Sequence, residues 1–250
     1  MPLPSQGDSG FTGFIRSLNR AGVPNITIIL WAISLLALLS SWAFDQACGS
    51  YFVIYLAVIH GAVGAMAMFD LTSQFGKLPD GRLTWWSWVI FGPYICTLMV
   101  FIFVRRLFSK EPQLNEIYER WVLGGYPTPG SEPKWTAVVD CTAELPRLYK
   151  IDAKKVKCIP TYDTTAAWSV SDFERAVEWA VDQWKGGETV YVHCAYGHGR
   201  SAAFMAACFV MAGIAKNFED AERQMQRCRP QVKLNMEQKA FLSKLRKTVL

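Results

Sequence analysis

The sequence predicts an α/β domain preceded by a helical membrane region, and three observations carry that prediction. Charge is divided unevenly: residues 1–104 hold four basic side chains (Arg16, Arg20, Lys77, Arg82) and four acidic ones (Asp8, Asp45, Asp70, Asp80), so the whole net charge of +5 belongs to residues 105–250. Three long uncharged runs precede residue 105, and after residue 111 short β-rich runs alternate with amphipathic helical ones. With 51% apolar residues distributed in this way, a single soluble domain, a disordered chain and a nucleic-acid-binding chain are excluded.

A membrane crossing needs roughly 20 helical residues. Residues 26–44 are rich in Leu and Ile and follow Pro24 and Asn25, which suit a helix start, so a span is expected there. The run is too long and too far from Met1 for the apolar core of a cleaved signal peptide. Residues 85–104 open on Trp85, Trp86 and Trp88 and close on Arg105 and Arg106, the aromatic and basic anchors of a second span. Residues 52–69 form a shorter run containing His60, Gly61 and Gly64. A span is expected here too, since small residues let membrane helices pack closely, with a re-entrant segment or a bundle-packed helix as the other readings. His60 has no acidic or Cys partner nearby and reads as a packing residue. The expected organisation is an N-terminal tail (1–23), a transmembrane region (24–104), a basic linker (105–112) and a soluble domain (113–250). Three spans set Arg16 and Arg20 against Arg105, Arg106 and Lys110 for the positive side, whereas two spans and a re-entrant segment satisfy both. Cys141, Cys158, Cys194, Cys208 and Cys228 show no disulfide spacing, which places the domain in a reducing compartment, the cytosol.

Within the domain, residues 117–123, 136–141 and 156–160 read as strands, with a Gly/Pro-rich turn over 124–130. Residues 171–185 carry Phe173, Ala176, Val177, Ala180, Val181 and Trp184 at helical spacing, with Ser171 as the expected cap and Gly186-Gly187 as the stop. A buried strand is expected at 189–193, and helices at 201–212, 218–228 and 236–248. Strands interleaved with helices imply a central mixed, partly parallel sheet flanked by helices.

The chemistry is concentrated in Val190-Tyr191-Val192-His193-Cys194-Ala195-Tyr196-Gly197-His198-Gly199-Arg200-Ser201. A strand, a tight turn with two glycines and a helix aim several backbone N–H groups and a helix N-terminus at one point, which suits a phosphate dianion. Ala195, Tyr196, Gly197, His198 and Gly199 would line that cradle. Cys194 opens the turn, where the same donors favour a thiolate placed to attack phosphorus. Arg200 closes it with a planar fork that grips two phosphoryl oxygens, a geometry Lys does not offer.

His193-Cys194, five residues, then Arg200-Ser201 resembles the signature of the cysteine-dependent protein tyrosine phosphatases, and its surroundings are similar to the dual-specificity branch. The likeness runs from about residue 113 to 250: residues 116–125 resemble that branch's opening strand and Gly turn, and Arg229-Pro230-Gln231-Val232 with Asn235 and Gln238 its ending. The resemblance implies a metal-free, cofactor-free, two-step hydrolysis through a phosphocysteine. It assigns the general acid to Asp163, which sits in a loop 31 residues before Cys194. Asp152 and Asp172 are rival carboxylates, Asp172 suiting the first turn of the following helix. It assigns Ser201 to the thiolate leaving group, with helix capping as the other reading, and His193 to orienting the loop. His198 departs from the pattern and is either a donor to an anionic substrate or an exposed loop residue. Val138-Val139-Asp140-Cys141-Thr142-Ala143-Glu144 resembles the strand end of tensin-type phosphoinositide phosphatases, which place there a Cys able to form a reversible disulfide with the catalytic one. The other reading of Cys141 is a buried free thiol.

The dual-specificity likeness implies a phosphoprotein substrate carrying phospho-Tyr or phospho-Ser/Thr. A phospholipid head group is the alternative, suggested by the membrane region and by the basic run of Arg147, Lys150, Lys154, Lys155 and Lys157, although the loop from Cys194 to Arg200 lacks the Lys residues of several lipid-acting relatives. Such a basic run is usually a solvated face. A third expectation is a non-catalytic membrane scaffold that binds phosphorylated partners. Tyr162, Trp168 and Tyr196 either line the entrance or pack.

Overall fold

A computed structural model describes residues 25–41, 48–129, 135–163, 165–166 and 168–249. The chain divides into two compact units, Met1–Phe69 and Asp70–Leu250. The expected tail 1–23, the end of the first run (42–44) and the tip of the 124–130 turn lie outside the described residues.

In the first unit, α1 (Asn25–Ser41) and α2 (Cys48–Met68) form a hairpin. The hydroxyls of Thr27 and Ser34 donate to the carbonyls of Gly64 (3.0 Å) and Ala57 (2.7 Å), and the Trp31 indole donates to Gly61 (3.3 Å). These bonds require close backbones. Gly61 and Gly64 permit them: a Cβ on Gly64 would lie 2.8 Å from the Trp31 ring. His60 is buried, with Nδ1 2.8 Å from the Leu56 carbonyl one turn back, as a packed histidine should be. α2 is long and apolar enough to cross a membrane, whereas the 17 described residues of α1 are apolar but shorter.

The second unit begins well before residue 113. After Asp70 come a short 3-10 turn (Thr72–Phe75), a hairpin closed by a Lys77–Leu83 bridge, and the apolar helix α3 (Trp85–Phe108), the second helix long enough to cross. Next come β1 (Leu114–Tyr118), β2 (Trp121–Gly124), β3 (Ala137–Thr142), β4 (Val156–Thr161), α4 (Val170–Lys185), β5 (Val190–His193), α5 (Arg200–Met211), α6 (Phe218–Cys228) and α7 (Met236–Val249). The sheet order is β1-β2-β5-β3-β4, with β1 antiparallel to β2 and the rest parallel. The expected mixed α/β sandwich is therefore present. Residues 117–123, expected as one strand, instead turn back on themselves: Arg120 takes a φ of 60°, and Glu116 accepts from its N–H at 2.9 Å. The cap of α4 is Ser169 rather than Ser171, its Oγ accepting from Asp172 N at 3.4 Å.

Three of the strands and α5 are buried almost throughout, which explains their largely apolar sequence. α4 turns its expected stripe of Phe173, Ala176, Val177, Ala180 and Val181 into the same core. β5 is the middle strand, so its C-terminal end, where Cys194 follows, opens onto the crevice at the carboxyl ends of the parallel strands, the usual ligand position in such sheets.

The polar segment between the second and third apolar runs is built into this unit. Lys77 Nζ lies 2.6 Å from Asp140 Oδ2 at the end of β3, and donates to the carbonyl (2.6 Å) and hydroxyl (2.9 Å) of Thr142. Both ionic side chains are 1% exposed. Arg147 adds a second fastening, donating from its backbone to Gly81 O at 2.8 Å and approaching Asp80 at 3.5 Å. Removing one partner of a buried pair strands the other charge, at a cost of about 3–5 kcal/mol. Lys77→Ala is therefore expected to lower the thermal midpoint of the purified full-length protein by many degrees, while Arg82→Ala, which removes a solvent-exposed pair with Asp80, shifts it little.

Candidate active site

β5 ends at His193, the loop runs from Cys194 to Gly199, and α5 begins at Arg200. Two glycines make that turn possible. Gly197 has a φ of 80°, and a Cβ there would lie 2.5 Å from the Gly124 backbone. Gly124 in turn leaves no room for a side chain, since a Cβ there would lie 2.5 Å from Gln113 O. Folded this way, the loop directs the Gly197 N–H to Cys194 Sγ at 3.2 Å, and the Ser201 hydroxyl donates to the same sulfur at 3.3 Å. Cys194 is 3% exposed, and its sulfur faces donors rather than apolar atoms on that side.

Arg200 is held from behind. Its Nη1 donates to both Glu144 oxygens (3.0 and 3.1 Å) and to the Thr161 carbonyl (2.8 Å). Nε and Nη2 are buried without a hydrogen-bond partner, although Nε lies 3.4 Å from Asp163 Oδ1. Burial alone would pull this guanidinium down, but Glu144, Asp163 and Cys194 more than offset it, so it stays charged. One edge of the planar fork is thus fixed, and Nε and Nη2 of the other have no hydrogen-bond partner.

Asp163 stands on the loop after β4 with its side chain 43% exposed, close to Arg200. The rival carboxylates are engaged elsewhere: Asp152 accepts from Lys154 N at a 3-10 turn, and Asp172 pairs with Arg175 in the first turn of α4. The structure thus brings Cys194, Arg200, Ser201 and Asp163 together around residues 195–199. His198 is drawn away from the cradle, with Nε2 2.6 Å from Glu111 Oε1 and its ring stacked on Tyr196. Trp168 packs in the core, Tyr162 donates to Leu71 O at 3.3 Å, and Tyr196 lies beneath the Arg105 guanidinium, 4.1 Å from its ring centre. Of the basic run, Arg147 and Lys155 are tied into local ion pairs with Asp80 and Glu188.

The family model for the dual specificity phosphatase catalytic domain matches residues 124–248, half of the chain. The chain belongs to the dual-specificity phosphatase family. It carries that family's cysteine phosphatase domain, and this sheet, loop and following helix are its framework. Solved structures similar to it include human DUSP28 (19% identity, 55% of this chain and 95% of that one, TM-score 0.49) and PTPMT1 in complex with PI(5)P (19%, 55% and 96%, 0.47). Tk-PTP in the active form is also similar (24%, 55% and 99%, 0.45). No curated protein matches the chain.

Several residues of this dual-specificity phosphatase site have roles that the sequence did not assign. Glu144 and Thr161 hold Arg200, but nothing in their local pattern marks them. Arg229 fastens the loop from outside, donating to the carbonyls of Gly197 (3.0 Å), Tyr196 (2.7 Å) and Pro112 (2.8 Å) and pairing with Glu111 at 2.5 Å. The Gln238 amide packs over Gly199. α3 contributes a wall: Ile102, Leu98 and Met99 pack with Tyr126, Leu145, Ala195 and Tyr196, and Tyr94 is buried near Glu144, Tyr162, Arg200 and Asp163. Cys141 is a fully buried free thiol in the core cluster that includes Cys194. Its pKa is pushed well up by burial, then by Cys194 and Asp140. Among the described residues, no group of three His, Cys, Asp or Glu side chains is arranged to hold a metal ion.

His193 is fully enclosed, with Nε2 2.9 Å from the Tyr149 hydroxyl and its ring stacked on Tyr191. Burial pushes its imidazole down to about 4, against a smaller upward pull from Asp140, so it is neutral at pH 7. An unfolded chain protonates this histidine near pH 6.5 and the folded chain does not. Stability should therefore fall as pH is lowered from about 6.5 towards 4, by up to about 3 kcal/mol. Thermal midpoints measured across that window should drop steeply for the wild type and less steeply for His193→Gln.

Proposed function

We propose that this chain is a membrane-associated phosphomonoesterase working through a phosphocysteine. The observation that supports this best is the pair of Arg200 nitrogens without a hydrogen-bond partner, buried in the same site as a Cys194 sulfur that already accepts two hydrogen bonds. In this reading the N–H groups of residues 195–199 and the free edge of Arg200 hold three phosphoryl oxygens. The Cys194 thiolate attacks in line, the P–S bond forms as the P–O bond breaks, and Asp163 in its acid form gives its proton to the departing oxygen. Asp163 then takes a proton from water, whose oxygen attacks phosphorus, and the P–S bond breaks to release inorganic phosphate. Ser201 stabilises the returning thiolate, and neutral His193 holds the start of the loop through Tyr149. Steady-state phosphate release should disappear in Cys194→Ser and fall by roughly 10²–10³-fold in Asp163→Asn.

Phosphoproteins carrying phospho-Tyr and phospho-Ser/Thr are the substrates that family membership favours. A second reading, a membrane lipid phosphomonoester, is supported by the apolar helix α3 packed beside the cradle at Ala195 and Tyr196. Phosphopeptides and phosphoinositide vesicles, each assayed against Cys194→Ser, separate the two by which one yields Cys194-dependent phosphate. A scaffold that merely binds phosphorylated partners ranks behind both, since it would not need Asp163 beside Arg200. α2, with α1 packed on it, is the proposed anchor, and the unpaired thiols support a cytosolic domain. For Cys141, peroxide treatment followed by peptide mapping is expected to give a Cys141–Cys194 disulfide, while oxidised Cys194 beside free Cys141 excludes that regulation.

A further inference from the structure

α3 satisfies every sequence criterion for a membrane span: 24 residues, about 36 Å long, apolar around its whole circumference, with Trp at one end and Arg at the other. Its surroundings are those of a different kind of helix. One stripe, Ser87, Phe91, Tyr94, Ile95 and Ile102, is buried against the sheet-bearing unit along most of the helix. The opposite stripe exposes Val89, Val100, Phe103, Val104, Leu107 and Phe108.

We infer that α3 does not cross the bilayer but lies along its surface, with one face seated on the phosphatase unit and the other in the lipid interface. The inference rests on the membrane association proposed above, and the chain on both sides of the helix carries it. Before α3, Lys77 is buried against Asp140, Asp80 meets Arg147, and Leu71 O accepts from Tyr162. Immediately after α3, Glu111 pairs with Arg229, and β1 joins the sheet. Both ends of the helix are thus fastened to one folded α/β domain, and both must lie on one side of the membrane. A crossing would also carry the groups packed beside Tyr94, including Glu144 and Arg200, down to hydrocarbon depth, where ionised side chains are strongly disfavoured.

A helix with a wide apolar face, its other face covered by protein and Trp85 and Trp88 at one end, has the make-up of an in-plane anchor. The occupant of that outer face is lipid, because the chain immediately upstream is itself an apolar helical hairpin with outward-facing Leu35, Leu36 and Leu39 on α1 and Phe52 on α2. With α3 in the plane and both helices of the upstream hairpin crossing, the crossings before Arg105 number two, and the two basic clusters of the sequence no longer compete for one side. The cradle beside Ala195 and Tyr196 then opens at the level of the head groups.

Full-length protein in sealed vesicles, with Cys48→Ser and Cys96→Ser, tests this through two exposed reporters, Arg82→Cys before α3 and native Cys228 after it. A membrane-impermeant maleimide is expected to label both, or neither until detergent is added. Labelling of one alone overturns the inference. A second measurement needs no sidedness: fluorophores at Val89→Cys, Val100→Cys and Leu107→Cys should be quenched equally by a shallow nitroxide lipid, and a deep maximum at position 100 means that the helix crosses. Release of the protein by alkaline carbonate, measured on the same vesicles beforehand, overturns the membrane reading itself and is distinguishable from either result.

Discussion

The buried guanidinium of Arg200 is the constraint from which the rest of the site follows. A permanent charge enclosed by protein needs a fixed counter-charge, and Glu144 supplies it with both oxygens while Thr161 supplies a carbonyl. Arg200 and Glu144 follow β5 and β3, and Thr161 is the last residue of β4, three different parallel strands. They meet only because the sheet order places β3 between β5 and β4. Using one edge of the fork for this ion pair leaves the other edge oriented and desolvated before any ligand arrives. Preorganisation of this kind makes an electrostatic interaction worth more than it would be in water.

The loop itself is supported from two sides by groups that make no obvious claim on a phosphate. On the inner side, Lys77, Asp140, Thr142, Tyr149 and His193 form a nearly sealed polar cluster beneath the strand ends, and His193 is neutral inside it. On the outer side, Arg229 binds two loop carbonyls and spans to Glu111 and Asn115 at the start of the domain. The backbone N–H groups needed for an anion can point inward because the carbonyls of the same loop have partners outside. Much of the positive charge is structural in this way, and its total says little about ligand binding.

Legibility in the sequence differed from feature to feature for physical reasons. Cys194, Arg200 and the two glycines lie within seven residues on one turn, where local geometry alone makes them converge. Asp163 was singled out through the family resemblance, and the loop after β4 brings it to 3.4 Å from Arg200 Nε. The roles of Glu144, Arg229 and Lys77 were not legible, although Glu144 and Arg229 stand in stretches that resemble relatives, since each acts over a long sequence separation. The hairpin at Arg120 was hidden because a single residue in a left-handed conformation reverses an otherwise continuous β-rich run.

By itself, the sequence determined the α/β class, the tight glycine-containing turn from Cys194 to Arg200 and the presence of apolar helices, because periodicity, glycine placement and charge content are local quantities. How α3 is packed was decided only by the tertiary structure. Its composition suits a bilayer crossing or a buried packing helix equally well, since apolar side chains are stabilised by lipid and by protein alike. Only the long-range contacts that flank it, above all the burial of Lys77 against Asp140, tie both of its ends to the same folded unit.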